Sequence, residues 1–150
     1  MNIENFKEKD KTLNCTGVIQ ITDPGYDDDV WCRTETEAAR GVWHCYTRVV
    51  SNGYGERVHQ SMVCREGCLH VVENGTPEGI FDAIGVDSGL AGFFFSPKPN
   101  YDGKTWLKMV KEWKEIDECY GIEGYFFDDG FVTSTGIGDG MYPVLAFREN

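Results

Sequence analysis

GVWHCYTRVV at residues 41–50 and RVHQSMVCR at residues 57–65 decide the fold. Both runs are dense in β-branched and aromatic side chains, which pack well on a pleated surface and lose rotamer freedom in a helix. Between them lies SNGYGE, residues 51–56, whose Asn-Gly pair suits the positive φ angles of a tight turn. The stretch reads as a β-hairpin. Because strand side chains alternate between faces, Trp43, Cys45, Thr47 and Val49 form the inward face, and Val42, His44, Tyr46 and Arg48 the outward one.

Working outward, the loop Arg65-Glu-Gly-Cys68 leads into a third strand over Cys68–Val72, and turn residues at Asn74-Gly75 and 77–79 break the chain again. Residues 79–87 and 90–96 form a second hairpin about Ser88-Gly89, more continuously apolar than the first and therefore central in a sheet. Its three consecutive rings, Phe93, Phe94 and Phe95, must point to both faces of a strand, so either the strand is covered on both sides, the commoner arrangement, or Phe94 is exposed as a contact residue. The cover is an amphipathic helix at about 103–120. Trp106, Met109, Val110, Trp113, Ile116 and Tyr120 recur at three- and four-residue steps, with lysines and glutamates on the other face. Asp102 is its N-cap and Gly121 its C′ residue.

Upstream, Cys15–Thr22 reads as a first strand, Asp23-Pro-Gly-Tyr26 as a type II turn, and Asp27–Cys32 as a short helical turn anchored by Trp31. Residues 1–12, which mix both charge signs, read as a flexible N-terminal segment. Strands at 124–127, 130–135 and 141–147 complete the chain. The expectation is one domain spanning 1–150, α+β and mainly β: a bent antiparallel sheet or open barrel with one long amphipathic helix packed on it.

Charge and composition exclude more than they identify. The net charge is −11, and neither residues 66–97 nor residues 115–147 contain a single Lys or Arg. Binding to a phosphate backbone depends on Lys and Arg releasing counterions, so a nucleic-acid partner is not expected. The longest apolar run, Leu90–Ser96, is far too short to span a membrane, and no signal-like segment opens the chain, which points to a cytoplasmic setting. In reducing cytosol the six cysteines read mainly as small buried hydrophobes. Cys64 and Cys68, with His70, His44 and Cys45, are the one grouping that resembles metal ligation. Three residues separate the paired cysteines where zinc turns normally have two, so no metal or other cofactor is expected.

The strong catalytic signatures are missing: there is no nucleophile elbow, phosphate loop, dinucleotide fingerprint or His-Glu-x-x-His pair. His44, His59 and His70 read as ordinary strand residues. Three loops instead combine carboxylates, hydroxyls and glycine: Asp23-Pro-Gly-Tyr26, Asp87-Ser88-Gly89, and Gly138-Asp139-Gly-Met-Tyr142. Such loops can offer carboxylates and backbone N–H groups to a polar ligand, and they are equally what tight turns need for their own geometry. Asp23, Tyr26, Arg48, Asp87, Ser88, Asp139 and Tyr142 are the candidate ligand-binding residues. No residue is assigned a catalytic role.

The segments Asp23-Pro-x-Tyr26 through Trp31-Cys32, Gly41-Val-Trp43, Gly85-Val-Asp-Ser-Gly89 and Gly136-Ile-Gly-Asp-Gly-Met-Tyr-Pro-Val144 resemble domain of unknown function 4241, a family of small bacterial and phage proteins. The resemblance runs from about Val18 to Val144, and its last motif is the most specific; Pro24-Gly25 departs from a cysteine frequent in the family. It implies a bacterial or phage setting and brings no catalytic residues with it. The expected function is a non-enzymatic binding protein acting against host defence, by sequestering a nucleotide-like signal or masking a host protein. Capture of a phosphorylated signal would call on Arg40, Arg48 or Arg57; masking would use the acidic faces. A hydrolase using Asp87 and Asp139 as paired carboxylates or metal ligands and a structural or assembly role are the alternatives, and homo-oligomerisation is left open.

Overall fold

A computed structural model of the chain describes residues 1–27, 29–53, 55–78, 82–96, 98, 100–116, 124–127 and 129–149. In chain order the elements are β1 (Phe6–Cys15), β2 (Val18–Thr22), β3 (Thr34–Glu37), β4 (Gly41–Asn52), β5 (Gly55–Arg65), α1 (Leu69–Asn74), β6 (Asp82–Val86), β7 (Leu90–Phe94), α2 (Gly103–Ile116), β8 (Tyr125–Phe127), β9 (Gly130–Ser134) and β10 (Gly140–Val144). The protein is α+β, mainly β, and every strand pairing is antiparallel. The strands divide into three ladders, ordered β1-β4-β5, β10-β6 and β3-β2-β7-β9-β8.

The first hairpin forms as its composition dictates, with Trp43 opposite Arg65, Cys45 opposite Val63 and Thr47 opposite Ser61. Cys45 and Thr47 are fully buried and Trp43 packs on Phe95, so the inward face is the one that alternation selects. Residues 6–12 do not form a flexible segment; they belong to β1, which pairs with β4 from Phe6 opposite Arg48 to Cys15 opposite Gly41. What composition showed as a polar tail is an edge strand, with charged side chains on its open side. The single strand expected over Cys15–Thr22 is broken at Gly17, whose φ of 125° lies in the left-handed region. That break sends β1 to β4 and β2 to β3 and β7.

β7 lies at the centre of the five-stranded sheet and its two faces meet different layers. Leu90 and Phe94 join Val132 beneath Trp106 and Met109 of α2, with Tyr125 alongside. On the opposite face, Phe93 and Phe95 belong to the larger core of Cys15, Ile19, Ile21, Ile84 and Val86, which Trp43, Val63, Tyr142 and Val144 complete. The three rings are thus covered on both sides. The Asp102 carboxylate caps α2 by accepting from the Thr105 N–H at 2.7 Å. Of the longer helix expected, residues 117–120 and the C′ residue Gly121 lie outside the described residues, as do the side chains of Val110, Trp113 and Ile116.

Three further expectations are corrected. Residues 82–86 and 90–94 do not pair with each other: β6 pairs with β10, while β7 pairs with β2 and β9. The run after Cys68 is helix α1 rather than a third strand of the meander. A short apolar run does not by itself distinguish helix from strand. Here burial of Val72 and donation from the Met1 amino group to the Val72 and Glu73 carbonyls favour the helical form. Of the helical turn expected over Asp27–Cys32, residue 28 lies outside the described residues; Val30 N–H bonds to Asp27 C=O at 3.2 Å, and Trp31 is 84% exposed rather than an anchor in the core.

Candidate functional site

Asp23 follows β2 at the edge of the core and is fully buried. A buried carboxylate needs partners for both oxygens, and this one has four. Oδ1 accepts from the Gly25 N–H at 2.8 Å and from the Ser88 hydroxyl at 2.7 Å. Oδ2 accepts from the N–H groups of Asp87 at 2.8 Å and Ser88 at 2.7 Å. The carboxylate therefore captures the donors of the 87–89 turn. It ties the end of β2 to the turn at which β6 and β7 part into different ladders.

The expected turn at 23–26 is present, with Tyr26 N–H bonded to Asp23 C=O at 3.1 Å, but it is not type II. That type requires a positive φ at Gly25, and Gly25 has none. Glycine is needed there for closeness: a Cβ would come within 3.0 Å of the Trp106 ring. The turn thus also seats α2.

The third acidic loop meets the second. Thr135 N–H bonds to Gly89 C=O at 3.1 Å, and the Thr135 hydroxyl donates to Gly138 C=O at 2.6 Å. Tyr142 closes the loop by donating its hydroxyl to the same Gly138 carbonyl, also at 2.6 Å. All three glycine-bearing loops therefore converge at one end of the central sheet. Tyr26 sits among them, and its phenol is pushed well above the ordinary range, first by burial, then by the Cys32 thiol and the charges of Asp23 and Asp87. It remains protonated across the physiological range.

The predicted residues divide by role. Asp23 is committed to the chain's own donors and acts as a tie between loops. Asp87, Ser88 and Asp139 are exposed on turns whose backbones approach at Gly89 and Gly138. Arg48 stands apart on β4, donating to Gln60 Oε1 at 3.1 Å. Among the described residues, no group of three His, Cys, Asp or Glu side chains is placed to hold a metal ion. Cys64 is buried, its thiol donates to the Arg65 carbonyl, and burial raises it to about 11; burial likewise raises Cys45 to about 12. His44 is not the isolated strand histidine that the sequence implies, because Glu8 lies 2.8 Å from Nδ1 and Glu66 3.3 Å from Nε2.

The larger feature was not visible in the sequence. Between the β4–β5 hairpin and the central sheet lies a cavity of about 1220 Å³. Ile19, Ile21, Val58, Val63, Phe93 and Val144 supply apolar wall, while Arg40, Arg65, His59 and Glu37 bring polar groups to it. Ser61 and Thr133, hydroxyl to hydroxyl, bridge β5 and β9 at its wall. Of the residues singled out in the sequence, Tyr142 reaches it, and so does Arg40, the arginine named for a phosphorylated signal; Arg48 and Arg57 are not on its wall. The space exists because Gly17, Ala38, Ala39 and Ala91 occupy wall positions where larger side chains would fill it. Its trace in the sequence is the small residues Ala38, Ala39 and Ala91 and the arginine candidate Arg40.

Compared with protein-family models, with curated proteins and with solved structures, the chain finds no match.

Proposed function

We propose that the protein is a non-enzymatic binding protein that holds a small molecule in the cavity between its hairpin and its central sheet. One observation carries this reading: the hairpin and the central sheet leave between them a half-open cleft of about 1220 Å³ with apolar walls. Apolar walls with a few polar groups are the usual character of a ligand site. The acidic loops then serve the scaffold, since Asp23 uses its carboxylate to hold the end of the central sheet together. The family resemblance supports a bacterial or phage setting. There the protein would act in the cytoplasm against host defence, by sequestering a signal molecule of nucleotide-like size. Among the described residues no helix is long and apolar enough to cross a membrane.

Native mass spectrometry of protein purified from its host tests the reading. A co-purifying small molecule in one-to-one ratio is expected, and Ala91→Phe, which puts a ring into the cavity, should abolish its retention. Protein that carries nothing, and that binds no member of a broad metabolite panel, would refute it.

A second reading, masking of a host protein, is favoured by a different observation. Trp31 is 84% exposed, Ile137 83% and Met141 59%, on segments that also carry Asp27, Asp29 and Asp139. Apolar anchors among carboxylates suit a basic partner surface. Trp31→Ala would weaken such a complex while leaving retention of the small molecule intact.

A further inference from the structure

We propose that the cavity selects an anionic amphiphile, a molecule with an apolar body and a single carboxylate or phosphate head group held between Arg40 and Arg65. The proposal rests on the reading that the cavity binds a small molecule, and it narrows the chemistry of that molecule. Its basis is a reversal of charge. The chain carries −11 overall, yet the cavity lining has Arg40, Arg65 and Arg148 against Glu37 and Glu149, a net of +1. Arg148 is already engaged by Glu78 at 3.2 Å, and Glu149 faces His70 at 4.0 Å, which leaves Arg40 and Arg65 against Glu37 as the remaining charges of the lining.

The two arginines are brought to the same end by one side chain. Trp43 stands directly opposite Arg65 in the β4–β5 ladder, and directly opposed residues project from the same face, so Arg65 shares the inward face with Trp43. The Trp43 indole also donates to the Ala39 carbonyl at 2.9 Å, fixing the segment that carries Arg40. The Arg40 guanidinium lies against Gly17, where a Cβ would come within 3.7 Å of its Nε. Both guanidinium-bearing residues are exposed, and both border the apolar walls of Ile19, Val63 and Phe93. Guanidinium groups present forked donors that match carboxylate and phosphate oxygens. An apolar body in the cavity with its head group at this end would satisfy both regions.

Titration calorimetry on the full chain with decanoate, decyl phosphate, 1-decanol and adenosine monophosphate tests the proposal. Decanoate and decyl phosphate should bind one to one, each about tenfold or more tighter than 1-decanol, the difference that charged hydrogen bonds supply. The Arg40→Gln, Arg65→Gln double variant should remove that advantage and leave 1-decanol unchanged. Arg148→Gln, whose guanidinium Glu78 already holds, should leave all affinities within about twofold, within the range of weak exposed ion pairs. Equal binding of 1-decanol and decanoate, or an unaffected double variant, would overturn the choice of ligand while leaving the cavity as a binding site. Tighter binding of adenosine monophosphate than of decanoate would do the same. Binding of none of the four, with nothing co-purifying, would overturn both. The substituted arginines are exposed, and circular dichroism of each variant separates lost affinity from lost fold.

Discussion

Replacing Asp23 with asparagine is the sharpest test of the architecture, because the change preserves size and removes only charge and acceptor capacity. Asp23 accepts four hydrogen bonds, two at each oxygen. Whichever way an asparagine amide turns, its NH₂ group faces two donors that previously had an acceptor. Hydrogen bonds to a charged group contribute about 1.5–3 kcal/mol each, so losing two sets an upper bound of roughly 6 kcal/mol. Asp87 and Ser88 are exposed, so their freed N–H groups can turn to water. That relaxation brings the expected cost to about 2–4 kcal/mol. For a domain whose total stability is on the order of 5–15 kcal/mol this is a large share. Urea unfolding followed by tryptophan fluorescence and circular dichroism measures it, with a lowered midpoint and an unchanged slope expected. Ser88→Ala, which deletes the hydroxyl's donation to the Asp23 carboxylate and its acceptance from the Leu90 N–H, is the internal reference at about 1.5 kcal/mol, the low end for a bond to a charged group because Ser88 is exposed. If Asp23→Asn were no more destabilising than Ser88→Ala, the carboxylate would not hold the loops together, and its role as a tie between them would fail.

Other consequences follow from the same packing. Gly92→Ala would place a Cβ 2.7 Å from the Phe94 ring and 2.8 Å from Val132, and overpacking of that kind should cost about 1–3 kcal/mol in the same unfolding assay. Trp106→Ala would uncover Leu90, Phe94 and Val132 and should cost about 3 kcal/mol, with loss of helical ellipticity as α2 detaches. Cys45 and Cys64, raised by burial to about 12 and about 11, should resist alkylation at pH 8 in the folded protein and react promptly once unfolded, as mass spectrometry of labelled peptides would report. The same shifts fix the alkaline behaviour. Unfolded thiols ionise near 9 while the folded ones hold their protons to 11 or 12, so stability contributed by these thiols is intact below pH 9 and declines as pH rises through 9 to 12. A midpoint that stayed constant from pH 8 to 11 would contradict their burial. Asp102 behaves oppositely at acid pH: its hydrogen bonds to Thr105 lower its pKa, so its capping of α2 is present above pH 4 and fades as pH falls further, read as a loss of helical signal.

What the sequence determined by itself is local and periodic. Alternation over residues 41–65 placed Cys45 and Thr47 inside, the three- and four-residue spacing from Thr105 marked α2, Asp102 marked its start, and the run of Phe93, Phe94 and Phe95 favoured cover on both faces. Each of these follows from side-chain direction within one element, which neighbouring residues suffice to fix. The partners of the elements were decided elsewhere. Nothing within residues 82–94 shows that Asp23, more than sixty residues away in the chain, takes the turn's donors, or that β6 pairs with β10 and not with β7. Nor does the composition of residues 1–12 show that β4 has an open edge for β1 to pair with. Of the candidate site, the sequence supplied the three acidic loops, and their convergence came only with the fold. The cavity was less legible still, because it is made of side chains that are absent: small residues at Gly17, at Ala91 on β7 and in the 38–39 segment, scattered along the chain, bound a volume only when the hairpin and the central sheet are set opposite one another.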